Sequence, residues 1–326
     1  MVLGKFMPPH LGHQFLIDFA RSYSEQVVVV VGTLASEPIP GALRHAWMRE
    51  LYPELEVLHL TDENPQSPDG IPDFWEIWER SLKRVLGARR PDQVFASEPY
   101  GQKLAEVLGA AFIPVDVARA TVPISATRIR EDPLAHWAFL PPCVRPYFVR
   151  RISIFGPEST GKSTLAAALA RRYQTSSVPE YARTLLEAQG GRIAAEDLVK
   201  IARGQIAAEE ALARQANRLL FCDTDPLATV VWSEALFGAV DPWIIEAARD
   251  RRYDLTLLTD VDVPFVPDLV RYLPSERDAF MQRCVGALEG AGRRFVRLSG
   301  SWNQRLETAA AAIEALLRGT SVPSRP

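Results

Sequence analysis

"GPESTGKST", residues 156–164, constrains the chain more than any other stretch. It reads GxxxxGK[ST] and stands between the apolar run "RISIF" (151–155) and the helical stretch "STLAAALARRY" (163–173). Such a loop turns its backbone N–H groups inward around phosphate oxygens, with glycines at the turns and a helix N-terminus behind it. A strand–loop–helix unit provides that arrangement, and such units assemble as a parallel sheet covered by helices. Gly156, Glu158, Ser159, Thr160, Gly161 and Thr164 are the expected nucleotide cradle. Lys162 is the cation for the β- and γ-phosphates, and the Ser163 hydroxyl is an expected Mg²⁺ ligand.

Phosphoryl chemistry on Mg²⁺ also needs a carboxylate at the carboxyl edge of the sheet. "LLFCDTD" (219–225) offers Asp223 and Asp225 at the end of an apolar strand, and "VPEYAR" (178–183) offers Glu180. Arg271 and Arg277 in "DLVRYLPSERDAF" (268–280) are cations that could close over a transferring phosphoryl group or simply face solvent. The second half is expected to be a P-loop kinase or NTPase.

The rest of the chain alternates in the same way. "VVVVVG" (27–32), "EVLHL" (56–60), "QVFAS" (93–97) and "AFIPV" (111–115) read as strands, as do "LTLLTD" (255–260) and "FVRLSG" (295–300). In "GHQFLIDFARSYS" (12–24), Phe15, Leu16, Phe19, Ala20 and Tyr23 recur at helical spacing. "PPCVRPYFVR" (141–150) breaks the rhythm with three prolines before it restarts. The expectation is an α/β protein of two parallel-sheet, three-layer domains, residues 1–145 and 150–326, with a frayed tail "GTSVPSRP".

Composition narrows the partners. With 47% apolar and 24% charged residues, a net charge of −3 and no long basic run, nothing points to nucleic acid. Cys143, Cys222 and Cys284 are far apart and odd in number, which fits reduced thiols. No apolar run reaches the ~18 residues of a membrane helix and no signal-peptide core opens the chain. A cytoplasmic protein is expected, with a homo-oligomeric state left open.

"GKFMPPHLGH" (4–13) is ambiguous on its own. His10 and His13 admit a metal site, a structural turn or a phosphate site, and the remaining histidines (His45, His59, His136) stand at no recognisable metal spacing. "ISATRIR" (124–130) sets Ser125, Thr127, Arg128 and Arg130 around the start of another helix, which suits a triphosphate.

HxGH followed by ISxTxxR resembles the signature of the nucleotidylyltransferase superfamily. Together with "DFWEIW" (73–78), "SEPYG" (97–101), "VDVAR" (115–119), "GPESTGKST", "EYAR" and "FCDTD", the chain resembles the bacterial NadR family over nearly its whole length. That resemblance implies a Rossmann-like nicotinamide-nucleotide adenylyltransferase half followed by a P-loop ribosylnicotinamide kinase half. The implied substrates are ATP, nicotinamide mononucleotide (NMN) and nicotinamide riboside, with Mg²⁺ as cofactor and NAD as product. It further implies that Gly4, Lys5, Phe6, His10, His13, Ser125, Thr127, Arg128 and Arg130 hold ATP. Phe74, Trp75, Trp78 and Tyr100 would bind the nicotinamide nucleotide, and Arg271 the riboside.

Three departures stand out. No helix-turn-helix segment precedes Gly4, so DNA-binding repression is not expected; the first strand must be short, with a start upstream left open; and "DLVR" lacks the glycine expected after Asp268. Two other readings are a fused phosphopantetheine adenylyltransferase/dephospho-coenzyme A kinase, and a regulator that senses NAD or ATP.

Overall fold

A computed structural model describes residues 1–268, 271–273 and 275–319. The "GTSVPSRP" tail after Gly319 and the middle of "DLVR" lie outside the described residues. The chain falls into two compact units that divide between Val144 and Arg145.

The first unit is built on five parallel strands, β1 (Val2–Gly4), β2 (Val28–Gly32), β3 (Glu56–Leu60), β4 (Gln93–Ala96) and β5 (Ala111–Pro114), in the order β3-β2-β1-β4-β5. The strands send alternate residues to opposite faces, as the period of two requires. Val2, Val29, Val31 and Phe95 pack beneath helices Leu11–Tyr23 and Gly41–Leu51 through Leu16, Ile17, Ala20 and Met48. Leu3, Val30 and Val94 face the other way, against Leu82, Leu86 and Leu104 of helices Phe74–Leu86 and Tyr100–Leu108. Helices therefore cover both faces, which explains why the valine run of β2 is continuous rather than alternating.

The second unit repeats the plan with β6 (Arg150–Phe155), β7 (Ser176–Val178), β8 (Leu219–Asp223), β9 (Leu255–Thr259) and β10 (Phe295–Leu298). They form a parallel sheet in the order β10-β9-β6-β8-β7. Ile152, Ile154 and Leu257 pack on helices Lys162–Arg172 and Trp302–Arg318, while Phe155 and Leu258 pack on helices Pro226–Phe237 and Arg277–Gly290. In each unit the first strand sits at the centre of the sheet and the order reverses beside it. The crevice at that reversal, past the carboxyl ends of the strands, is where ligands of such sheets bind.

Among the described residues, no helix is long and apolar enough to cross a membrane. The three cysteines are buried, and among the described residues they form no disulfide.

Candidate active sites

In the first unit, a cavity of about 680 Å³ opens past the end of β1. Gly4, Lys5, Phe6, His10 and His13 line it from one side, Ser125, Thr127 and Arg130 from another, and Phe74, Trp75, Trp78 and Tyr100 from a third. Residues about 120 positions apart in sequence thus share one space, and Arg130 donates to the Met7 carbonyl at 2.6 Å and to Thr127 Oγ1 at 3.1 Å.

The two histidines have distinct jobs. His10 is the N-cap of helix Leu11–Tyr23, its Nδ1 accepting from Gly12 N at 3.1 Å and His13 N at 3.3 Å. Because Nδ1 accepts, the ring proton sits on Nε2. His13 stacks on His10 with centroids 3.7 Å apart, and its Nδ1 has no hydrogen-bond partner among the described residues. Burial, with Arg119 nearby, pushes His10 down to about 4. Burial, His10 and Arg119 hold His13 well below the usual imidazole range. Both rings are neutral N–H donors at pH 7, and the cavity's positive charge comes from arginine and lysine.

Other expected residues divide between lining and packing. Phe6 is buried with φ of 46° and meets His13 edge-on, centroids 4.9 Å apart. A side chain on Gly4 would begin 3.0 Å from that ring, so this glycine makes room for Phe6. Lys5 pairs with Glu37 at 2.9 Å. The wholly buried Arg44 holds that corner by bonding Glu37 and the carbonyls of Lys5 and Ile39. Trp78 donates to the Pro65 carbonyl at 2.9 Å, and Tyr100 to the Leu3 carbonyl at 2.9 Å.

Arg128 is the exception: it is exposed, bonds the Pro123 carbonyl at 3.2 Å and does not line the cavity. On a helix, residues two apart do not share a face, so Arg128 and Arg130 diverge. Arg119 takes the second cationic place in the wall. Its loop is folded by Asp116, whose carboxylate accepts from the backbone N–H of Ala120, Thr121 and Val122. "VDVAR" contained this arginine, but no periodicity or pairing in the sequence marked it as facing the site.

In the second unit, a cavity of about 330 Å³ lies past β6, β7 and β8. Residues 158–164, Glu180, Arg183, Thr224, Trp232, Arg271 and Tyr272 line it. Gly156 has φ of 135°, and a side chain there would begin 2.7 Å from the Thr259 carbonyl. Gly161, at φ 88°, caps helix Lys162–Arg172. Both positions demand glycine. Lys162 is buried, its Nζ donating to the Pro157 carbonyl at 2.8 Å across the loop mouth.

The loop's side chains mostly brace it. Thr160 Oγ1 bonds the Pro157 carbonyl and Thr259 Oγ1, and Ser159 Oγ accepts from Val266 N. Glu158 accepts from Tyr272 N at 3.0 Å and Leu273 N at 2.8 Å. Arg277 joins them by donating to the carbonyls of Val263 and Ser159, so it holds the loop from outside the cavity wall. Arg271 lines the cavity; its Nη1 has no partner among the described residues, and its Cζ lies 5.8 Å from the centroid of Phe265.

The candidate carboxylates separate clearly. Asp223 is 1% exposed and its Oδ1 has no hydrogen-bond partner among the described residues. Burial and Glu180 raise its carboxyl, while Lys162 and Ser163 oppose the rise. A buried, unpaired oxygen beside a serine hydroxyl fits a divalent cation such as Mg²⁺, which keeps waters and phosphate oxygens as its other ligands. Asp225 corrects the expectation for it. Its Oδ1 caps helix Pro226–Phe237 by accepting from Leu227 N and Ala228 N, and its Oδ2 bonds Ser153 and Arg293, each at 2.6 Å. Every lone pair is engaged away from the cavity, so Asp225 is a structural residue.

Fold and sites together define a tandem of two nucleotide-binding α/β units, the first carrying an HxGH motif and the second a P-loop. A family model described as an AAA domain matches residues 151–305. The trifunctional NAD biosynthesis/regulator protein NadR of Escherichia coli is 30% identical over 321 residues, covering 91% of this chain and 78% of that protein. The chain belongs to the NadR family and is a transferase of NAD biosynthesis. A nicotinamide-nucleotide adenylyltransferase of Aeropyrum pernix is 29% identical over 162 residues, covering 48% of this chain and 91% of that one. A crystal structure of a NadR protein in complex with NR has the same fold, with a TM-score of 0.81 at 24% identity over 98% of this chain and 96% of that one. Another, in complex with NAD and AMP-PNP, superposes with a TM-score of 0.80 at 23% identity over the same shares.

Proposed function

We propose that residues 1–145 transfer the adenylyl group of ATP to NMN, releasing pyrophosphate and forming NAD, and that residues 150–326 phosphorylate nicotinamide riboside with ATP. The observation that carries this reading is that each unit has its own cavity at the reversal of its own sheet, lined by its own phosphate motif. The family relationship supplies the nicotinamide chemistry. The product of the second unit is the substrate of the first.

For adenylyl transfer, the nucleophile is a phosphate oxygen of NMN, already anionic, so no general base is required. The rate comes from positioning and from stabilising the charge that moves onto pyrophosphate. His10 Nε2–H and the His13 imidazole donate hydrogen bonds to phosphate oxygens without adding charge. Arg130, Arg119 and Lys5 supply the positive charge, and Ser125 and Thr127 offer hydroxyls. Phe74, Trp75 and Trp78 present aromatic faces to the cationic nicotinamide ring.

For riboside phosphorylation, the N–H groups of residues 158–163 and Lys162 hold the phosphates. Glu180 orients the attacking 5′-hydroxyl, and Arg183 and Arg271 face the reacting groups from the cavity wall. Ser163 and Asp223 are the residues that would hold Mg²⁺. The ion, when bound, offsets the negative charge of the phosphates.

The test is direct. Purified protein given ATP and NMN should form NAD and pyrophosphate, and given ATP and nicotinamide riboside should form NMN. Turnover of phosphopantetheine and dephospho-coenzyme A in place of the nicotinamide compounds would overturn the reading.

A further inference from the structure

The position of an exposed tryptophan carries one step more, resting on the reading that the second unit binds ATP. The acceptor cavity lies on one side of the phosphate loop, walled by Glu180 after β7 and Thr224 and Trp232 after β8. Phosphoryl transfer places attacking and leaving oxygens roughly in line on the transferred phosphorus. The rest of the nucleotide must therefore leave on the other side, toward β9 and β10.

Trp302 stands there. It opens helix Trp302–Arg318, directly after the loop that leaves β10, and its indole is 40% exposed. Its Cζ3 lies 3.7 Å from where a side chain on Gly161 would begin, so the ring borders the phosphate loop's backbone. The residue keeps 40% of its surface open beside that loop, so a planar ligand can reach the ring.

The ring is also held in register with the loop. Arg305, 2% exposed, donates to the carbonyl of Thr160 at 3.1 Å and to that of Gly300 at 3.1 Å. It also bonds the Asp260 carbonyl and Asp262. One buried guanidinium thus ties the phosphate loop to the loop that carries Trp302. Gly300, at φ 85°, donates its N–H to Asp262, and Ser301 with Gln304 forms a reciprocal capping box. Four neighbouring devices fix a short loop whose exposed product is the indole.

We propose that Trp302 is the base platform of the second nucleotide site, stacking the purine ring of ATP while the phosphate loop holds its triphosphate. Stacking reads a π-face and not a hydrogen-bond pattern, so a guanine nucleotide should also serve as donor. Trp302→Ala should raise the KM for ATP in riboside phosphorylation about tenfold, or about 1.4 kcal/mol. The kcat at saturating ATP should hold, and Trp302→Phe should keep most of the wild-type KM. Inhibition by inorganic tripolyphosphate, which has no base, should be unchanged in Trp302→Ala, as should the KM for ATP in adenylyl transfer. An unchanged ATP KM in Trp302→Ala, or tripolyphosphate inhibition that weakens in step with it, overturns the platform. Lys162→Ala separates the two ideas: if it loses phosphorylation while Trp302→Ala is unaffected, only the platform falls. If Lys162→Ala still phosphorylates the riboside, the kinase reading fails and the platform with it.

Discussion

The two units share a sheet plan, but on the function proposed for them they would hold phosphate in opposite ways. The second uses its main chain, with two glycines at positive φ, a ring of N–H groups and one buried lysine. The first uses side chains gathered from distant segments, with two neutral imidazoles and two arginines that meet only in the folded state. A main-chain cradle is one contiguous segment and tolerates few substitutions at its glycines. A side-chain cradle is dispersed over distant segments, and its members can be tested one at a time.

The sharpest way to break this comparison is to disable one site and watch the other. Lys162→Ala should abolish riboside phosphorylation and leave adenylyl transfer intact, and His13→Ala should do the reverse, read as NMN and NAD formation by chromatography. Loss of both activities in either variant would contradict two independent sites.

The next effect tests which arginine works. Arg130→Ala should lower kcat/KM for adenylyl transfer about 10²–10³-fold, as expected for removing one donor to a developing charge. Arg128→Ala, whose side chain lies outside the cavity wall, should change it little.

A third contrast concerns neighbouring carboxylates. Asp225→Ala leaves Arg293 buried without its partner and uncaps a helix, which should cost about 3–5 kcal/mol in chemical denaturation. Asp223→Asn should instead reduce phosphorylation with little loss of stability, since its Oδ1 bonds nothing among the described residues.

The smallest effect is on pH. His10 is held at about 4 against an ordinary value of 6.5. A depressed folded value means stability is complete above about pH 6.5 and falls as pH drops toward 4, by roughly 3 kcal/mol in all. The midpoint of urea unfolding of the first unit should move accordingly, and His10→Asn, which keeps a side-chain cap acceptor, should remove the His10 share of the dependence and leave that of the buried His13.

The motifs and the layered fold were legible because both are local patterns. A phosphate loop is contiguous, and strands such as "EVLHL" and "LLFCD" coincide with β3 and β8 residue for residue. What the sequence hid depends on direction. "FCDTD" places two aspartates two positions apart, and the turn through Thr224, at φ 68°, leaves one beside Glu180, Lys162 and Ser163 and the other in a helix cap. "ISATRIR" offers two arginines, and helical geometry selects Arg130. Arg119 was invisible because a loop folded around Asp116 presents it, and that loop has no period to read.

The central position of β1 has a consequence for biosynthesis. Val2 pairs with Val29 on one side and Phe95 on the other, so this strand, made before the other four of its sheet, cannot complete its ladder until residues some ninety positions later arrive. Such long-range pairing slows folding. The second unit begins only after Val144 and has its own central strand, β6, at its start. The first unit can therefore close while the ribosome is still making the second, and each sheet assembles from strands of its own half rather than competing for those of the other.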